Sequence, residues 1–256
     1  FFLQDFLRTS QLNCPQKIAA NTYDSLQQCL ENQGSILVLE DKKYPALLKE
    51  ISSRPLVLYL KGNPEQLTCP CVAIIGSRRS SFYALQKSLE IAKILAKDGF
   101  TIVSGGAYGC DILAHQGSLE AKNSKNSTVV VLASGLSNFY PKGNQFIFDK
   151  VLDQGGVLVS ERLWHQFPKP YDFPIRNRII SGLSQVTLVM DAHLKSGSLI
   201  TAQRALEQGR DVMVLRSKTN NSGSSGNRLL EDEGSPTLQS AKEVESFLLS
   251  NRLGQN

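Results

Sequence analysis

The sequence predicts an α/β fold: a doubly wound, mostly parallel sheet with helices on both faces, preceded by a short helical N-terminal segment. Three observations carry that expectation. From residue 70 onward, short runs rich in Val and Ile recur: "VAIIG", "TIVSGG", "TVVVLASG", "GVLVSE", "VTLVMDA" and "DVMVL". The runs are continuous rather than alternating, which marks strands covered on both faces, as parallel sheets require. Between them lie amphipathic stretches of helical period, and a strict alternation of strand and helix is the pattern of a doubly wound domain.

In chain order, "FFLQDFL" and "TYDSLQQCL" space apolar residues by three and four, so residues 1–34 are assigned to a short helical segment. Two apolar runs, 36–39 and 56–60, then flank a Tyr-Pro break and a short helix. Within the alternating region, helices are expected in "ALQKSLEIAKILAKDG", "CDILAHQGSLEAK", "NQFIFDKVLDQGG", "RNRIISGLS" and "SLITAQRALEQGR". After residue 215, "RSKTNNSGSSGN" reads as a polar loop and "SAKEVESFLL" as a last helix. The main domain is therefore assigned to 35–240 and a C-terminal helix or tail to 241–256, with no internal repeat.

Composition bounds the function. A chain of 256 residues can bury one large core or two modest ones. With 41% hydrophobic and 20% charged residues it is an ordinary globular sequence, not a disordered one. The net charge of +5 is a mild basic bias, compatible with a nucleic-acid partner. Five scattered cysteines (Cys14, Cys29, Cys69, Cys71, Cys110) fit free thiols in a reducing compartment, so a cytoplasmic location is expected. No run of about 18 apolar residues exists, so no membrane span is expected. No basic region precedes an apolar stretch at the start, so no signal peptide is expected, and a chain opening on Phe1 is read as entering part-way through an element.

The chemistry is sought at the carboxyl ends of the strands, where ligands bind in such sheets. There the chain places Gly76-Ser77-Arg78-Arg79, Ser104-Gly105-Gly106-Ala107-Tyr108-Gly109, Ser134-Gly135, Ser160-Glu161, and Lys195 ahead of Ser196-Gly197-Ser198. Small residues let backbone amides approach an anion, helix N-termini add partial positive charge, and the cations complete the neutralisation. "YDFPIRNRIISGLS" adds an oddity. Arg176-Asn177-Arg178 is expected in the first turn of a helix, where the macrodipole favours Asp or Glu, so at least one arginine is held for an external anion. The other is expected to brace the site through a carboxylate such as Glu161 or Asp172. Arg79 is assigned to solvent or a dimer face.

The ligand class follows by exclusion. "GSRRSS" is not GxGxxG, the next strand lacks a ribose-reading acid, and no GxxxxGK[ST] is present. A nucleic-acid backbone needs several phosphate sites in a row and no such acid. Tyr108, Phe139, Tyr140, Trp164, Phe167 and Tyr171 offer faces on which unpaired bases can stack, with core packing an equal claim on Trp164. Asp111 and His115, four apart, are read as a capping carboxylate and a satisfied histidine, because no third ligand lies at useful spacing. Cys69-x-Cys71 is read as two idle thiols. No catalytic set, metal site or cofactor site is found, so a binding protein rather than an enzyme is expected.

These residues resemble a known family. "YPALLKEISSRPLVLYLKGN", "VAIIGSRR", "VSGGAYGCDILAH", "FYPKGN", "FPIRNRIISGLS", "LKSGSLITAQRALEQGR" and "GNRLLEDEG" occur in the order found in the DNA-processing protein A (DprA, Smf) family, over residues 40 to 235. The resemblance implies an extended Rossmann fold, a homodimer, and binding of single-stranded DNA without sequence preference. It also implies delivery of that DNA to the recombinase RecA in natural transformation. Arg78 and Lys195 match family positions that contact DNA, and Arg176, Asn177 and Arg178 match pocket positions. Three departures stand out: Leu215-Arg216 replaces the usual Pro-Gly, the loop that follows is unusually rich in Ser, Asn and Gly, and the family's C-terminal winged-helix-like domain is expected to be absent. The alternative is a nucleotide- or nucleotide-sugar-processing enzyme of a phosphoribohydrolase-type family with Glu161 as its acid, although the PGGxGTxxE signature of that family is missing.

Overall fold

The Val- and Ile-rich runs become the central strands of one nine-stranded sheet. The structure is a computed structural model that describes residues 16–121, 127–217 and 224–253. An N-terminal helix α1 (Gln16–Glu31) leads into β1 (Gly34–Val38), a short helix α2 (Ala46–Glu50) and β2 (Val57–Gly62). The alternating region follows as β3 (Cys71–Gly76), α3 (Phe82–Lys97), β4 (Thr101–Ser104), α4 (Cys110–Leu119), β5 (Thr128–Val131), α5 (Gln145–Asp153) and β6 (Val157–Ser160). It continues through α6 (Asp172–Leu183), β7 (Val186–Asp191), α7 (Gly197–Glu207), β8 (Asp211–Leu215), α8 (Ser225–Asp232), β9 (Thr237–Leu238) and α9 (Ala241–Leu253). The reading of "FFLQDFL" lies outside the described residues.

The strand order is β1-β2-β6-β5-β4-β3-β7-β8-β9. Strands β6 through β9 in that order run parallel, while β2 pairs antiparallel with β6 and β1 antiparallel with β2. Within β3 the side chains divide by parity. Ala73 and Ile75 pack with α6 and α7, whereas Val72 and Ile74 pack with α3 and α4. Such strands have no polar face, which is why their sequence shows no alternation. Cys29 of α1 shares a core with Tyr59 and Trp164, and Val244 and Leu248 of α9 share one with α3, so both flanking helices pack on the sheet.

Two findings differ from the sequence reading. The two-residue strand β9 was not expected. Helix α6 begins at Asp172 rather than Arg176, so the arginines lie in its second turn and the first turn carries an acid, as the macrodipole favours. Pro174 does not prevent this, because the first turn's N–H groups have no intrahelical acceptor to lose.

From β3 the chain steps to β4 on one side, and β7 flanks β3 on the other. The carboxyl end of β3 is therefore a topological switch point, and a crevice opens there by construction.

Candidate functional site

Three loops meet at that crevice. Gly76 ends β3 with no room for a side chain, since a Cβ there would lie 2.5 Å from Cys110 Sγ. The following loop is tied to the end of β7: the Ser77 amide donates to the Asp191 carbonyl (2.8 Å) and the Ser81 amide to Asp191 Oδ2 (2.8 Å). Ser80 Oγ donates to the Ser77 carbonyl (2.7 Å), and Ser81 Oγ caps α3 by accepting from Ala84 N (3.2 Å). Arg78 and Arg79 project, exposed, from this braced loop, and the Arg78 guanidinium stands 5.4 Å from the Phe173 ring centroid. In the β4–α4 loop, Gly109 takes φ of +86°, and a Cβ there would come within 2.2 Å of the Ser77 carbonyl oxygen. In the β7–α7 loop, Ser196 caps α7 by accepting from Leu199 N, with Lys195 exposed just before it.

Arg176 forms the floor and is buried, at 8% exposure. Its Nη1 donates to the carbonyls of Gly105 (2.7 Å) and Val131, and its Nε to Asn177 Oδ1 (3.2 Å). Nη2 has no hydrogen-bond partner among the described residues. Asn177 Nδ2 donates to the Gly197 carbonyl (3.3 Å), joining α6 to α7. The result is an open cavity lined by Ser77, Arg78, Arg79, Asp111, Phe173, Arg176, Asn177, His193 and Ser196 to Ser198. A smaller cavity shares Arg78, Ala107, Phe173 and Arg176 with it, and adds Gly105, Tyr108, Ala133, Tyr140 and Pro141.

The local charge is positive. Burial pushes the Arg176 guanidinium down to about 10, against the pull of Asp111, and Arg78 lowers it further. Burial raises the Asp111 carboxyl above its ordinary value, with Arg176 opposing. Three guanidinium groups thus face one buried carboxylate, and the N-termini of α4 and α7 add partial positive charge. A cavity of that charge is suited to an anion.

The family model for DNA recombination-mediator protein A matches residues 35–249. The chain belongs to this family. Protein Smf of Escherichia coli K12 is 38% identical over 216 residues, which cover 84% of this chain and 57% of Smf. Against the Smf relatives of three bacteria the chain spans from half to about two thirds of their length. The X-ray structure of DNA processing protein A (DprA) from Streptococcus pneumoniae superposes with a TM-score of 0.79 at 32% identity, over 94% of this chain and 85% of that one. DprA from Helicobacter pylori, whose structure is described for its single-stranded DNA-binding mode, superposes with a TM-score of 0.74 at 32% identity, over 86% and 97%. The doubly wound, mostly parallel sheet is the fold of these relatives.

In this family member the sequence-picked residues divide. Gly76, Ser77, Arg78, Arg176, Asn177, Ser196, Gly197 and Ser198 line the main cavity, with Gly105 in the smaller one. Lys195 stands beside the main cavity without lining it. Ser104 and Gly106 lie beneath: Ser104 Oγ donates to the Ile74 carbonyl (2.6 Å), and the Gly106 carbonyl accepts from Asn144 Nδ2 (2.8 Å). Arg178 is the brace, pairing through Nη2 with Glu161 Oε1 (2.5 Å) and through Nε with the Ser53 carbonyl (2.7 Å). Asp172 instead pairs with Arg162 (2.9 Å). Trp164 corrects the expectation of base stacking: at 1% exposure it packs with Cys29, Tyr59 and Leu136, and no base can reach its ring. Phe167 is 68% exposed but lies in a separate depression with Phe139, Tyr140 and Lys142. The Ser134-Gly135 and Ser160 loops also stay out of the cavity, because Ser160 Oγ donates to the Ser134 carbonyl (2.7 Å).

His115 is buried with Nδ1 2.7 Å from Thr128 Oγ1, while its Nε2 has no partner. Among the described residues no group of three His, Cys, Asp or Glu side chains is arranged to hold a metal ion. Sequence reasoning missed Phe173, which stands under Arg78, and Asp191 and Asn227, which set the loops. Asn227 Oδ1 accepts from Ala192 N (2.8 Å), and its Nδ2 donates to the Leu215 carbonyl (3.0 Å), so "GN" locks the ends of β7 and β8 together. An Asp closing a buried apolar strand was the available signal for Asp191.

Proposed function

We propose that the chain binds single-stranded DNA without sequence preference, seating phosphates in the switch-point cavity. The observation that carries this is the buried Arg176, which spends three donors on the protein and keeps Nη2 free beside Arg78. Lys195 supplies a further cation at the rim. The protein acts as a carrier rather than an enzyme: it protects incoming strands in the cytoplasm during DNA uptake and passes them, as a homodimer, to the recombinase RecA. The single-stranded DNA binding described for the Helicobacter pylori relative supports this reading. The nucleotide-processing alternative is weakened, because its acid, Glu161, is held by Arg178.

The test is a titration of short single- and double-stranded oligonucleotides at several salt concentrations. Single strands are expected to bind more tightly, with log K falling by about 0.7 per neutralised phosphate for each decade of salt. Arg78→Ala combined with Lys195→Ala weakens all sequences alike and reduces that slope. A binding constant indifferent to salt, or equal affinity for duplex, overturns the proposal.

A further inference from the structure

We propose that the C-terminal helix is a proton-operated latch: Glu245 of α9 and Asp98 at the end of α3 share one proton, and α9 grips α3 while that proton is held and loosens when it is lost. The device is independent of the DNA-binding reading above, since neither residue lines the cavity. Helix α9 lies on α3 through an apolar stripe. Val244 and Leu248, four apart, share one core with Ile91 and Leu95 of α3, and Phe247 packs against it. Glu245 follows Val244 and so stands at the border of that stripe. Its Oε1 is sealed from solvent, and no described group donates a hydrogen bond to it. The group that Glu245 meets across the contact is a second carboxyl, Asp98, within hydrogen-bond reach.

Two carboxylates at that range repel when both are ionised, and one proton held between them turns the repulsion into a hydrogen bond. The end of α3 sharpens the effect. Asp98 is its C-cap, with its amide bonded to the Ile94 and Ala96 carbonyls, and the last carbonyls of a helix carry partial negative charge. Among the neighbouring charges, Lys242 in the first turn of α9 pulls Glu245 toward ionisation, Lys97 of α3 is exposed, and Glu243 accepts from the Gln239 amide. Strand β9 adds no charge, consisting of Thr237 and Leu238. The hydrogen bond to Asp98, then burial and the Asp98 charge, push the Glu245 carboxyl from 4.5 up to about 7. A released helix therefore holds the proton only below about 4.5, and the docked helix holds it up to about 7. The grip is weakest above 7 and strengthens as pH falls toward 4.5.

Hydrogen exchange of the whole chain tests the latch, with each amide's rate divided by its unstructured rate at the same pH. Amides of α9 are expected to be about tenfold more protected at pH 6 than at pH 8, the ratio that a group titrating near 7 produces over that interval. Glu245→Gln donates to Asp98 with no proton to lose, and Asp98→Asn donates to Glu245 without the like charge. Both variants are expected to hold α9 equally protected at the two pH values. Protection of the core strands β3 and β7, read in the same experiment, reports global unfolding and separates it from release of the helix. Equal α9 protection at both pH values in the wild-type chain overturns the latch, as does a Glu245→Gln variant that keeps the wild-type difference. An α9 that exchanges only together with β3 and β7 overturns it as well, because the helix then has no opening of its own.

Discussion

Arg176 and Arg178 differ by two positions and by nearly everything else. Residues two apart on a helix project about 200° from each other, so once both lie inside α6 they must serve opposite sides. Arg176 turns under the cavity and Arg178 turns to Glu161 and Ser53. The pattern "RNR" therefore announced one cavity cation and one brace, but which was which depended on the start of the helix. Their replacement should separate accordingly. Arg178→Ala removes a half-buried ion pair and a carbonyl bond, and is expected to lower stability by about 1–3 kcal/mol in urea unfolding while leaving single-strand affinity within about twofold. Arg176→Met should do the opposite to binding, weakening it at least about tenfold, because a charge-assisted contact to phosphate is lost at the floor of the site. If Arg178→Ala weakens binding as much as Arg176→Met, the assignment of roles is wrong.

The elements were legible to unequal depths. Helices α3, α4 and α7 announced themselves by apolar spacing, and the β3–α3 loop by its Gly, Ser and Arg content. The start of α6 was hidden by Pro174, which reads as a break although a first turn tolerates it. The brace on the β3–α3 loop was hidden because it is a contact across 110 residues, from Asp191 Oδ2 to the Ser81 amide. That brace makes a prediction in which two effects carry opposite signs. Asp191 is an anion near the cationic cavity proposed to seat DNA, so charge alone predicts tighter DNA binding when it is removed. Its role as an acceptor predicts weaker binding, since a released loop no longer presents Arg78. Asp191→Asn keeps an acceptor oxygen and removes the charge, and is expected to bind DNA at least as tightly as the wild-type chain. Asp191→Ala is expected to bind several-fold more weakly, and equal tightening by both variants would dismiss the brace.

At the scale of the whole molecule, continuous runs such as "VAIIG" were enough to predict a mostly parallel, doubly covered sheet, because burial on both faces leaves no other pattern. The strand order was not legible. Nothing local tells β2 to lie antiparallel against β6, and the switch point at β3 depends on that order. The polar groups sealed inside are equally invisible from composition, and one of them makes global stability depend on pH. Burial, with Arg176 adding to it, pushes the His115 imidazole from 6.5 down to about 3. Its Nδ1 is satisfied by Thr128 and its Nε2 stays bare, so the native state holds the neutral ring. The unfolded chain takes up a proton near 6.5 and the folded chain does not until about 3, so stability is full above 6.5 and is lost as pH falls through that window. The slope approaches about 1.4 kcal/mol per pH unit inside the window. Asp98 beside it raises the Glu245 carboxyl to about 7, and burial raises the Asp111 and Asp191 carboxyls above their ordinary values; these groups oppose the loss as pH falls. Urea unfolding at pH 7.5, 6.5 and 5.5 is therefore expected to show that stability depends on acid differently in the two proteins, the wild-type chain losing more, or gaining less, with each step down than His115→Leu, which cannot bind the proton. Parallel profiles for the two proteins would mean that another group governs the acid response.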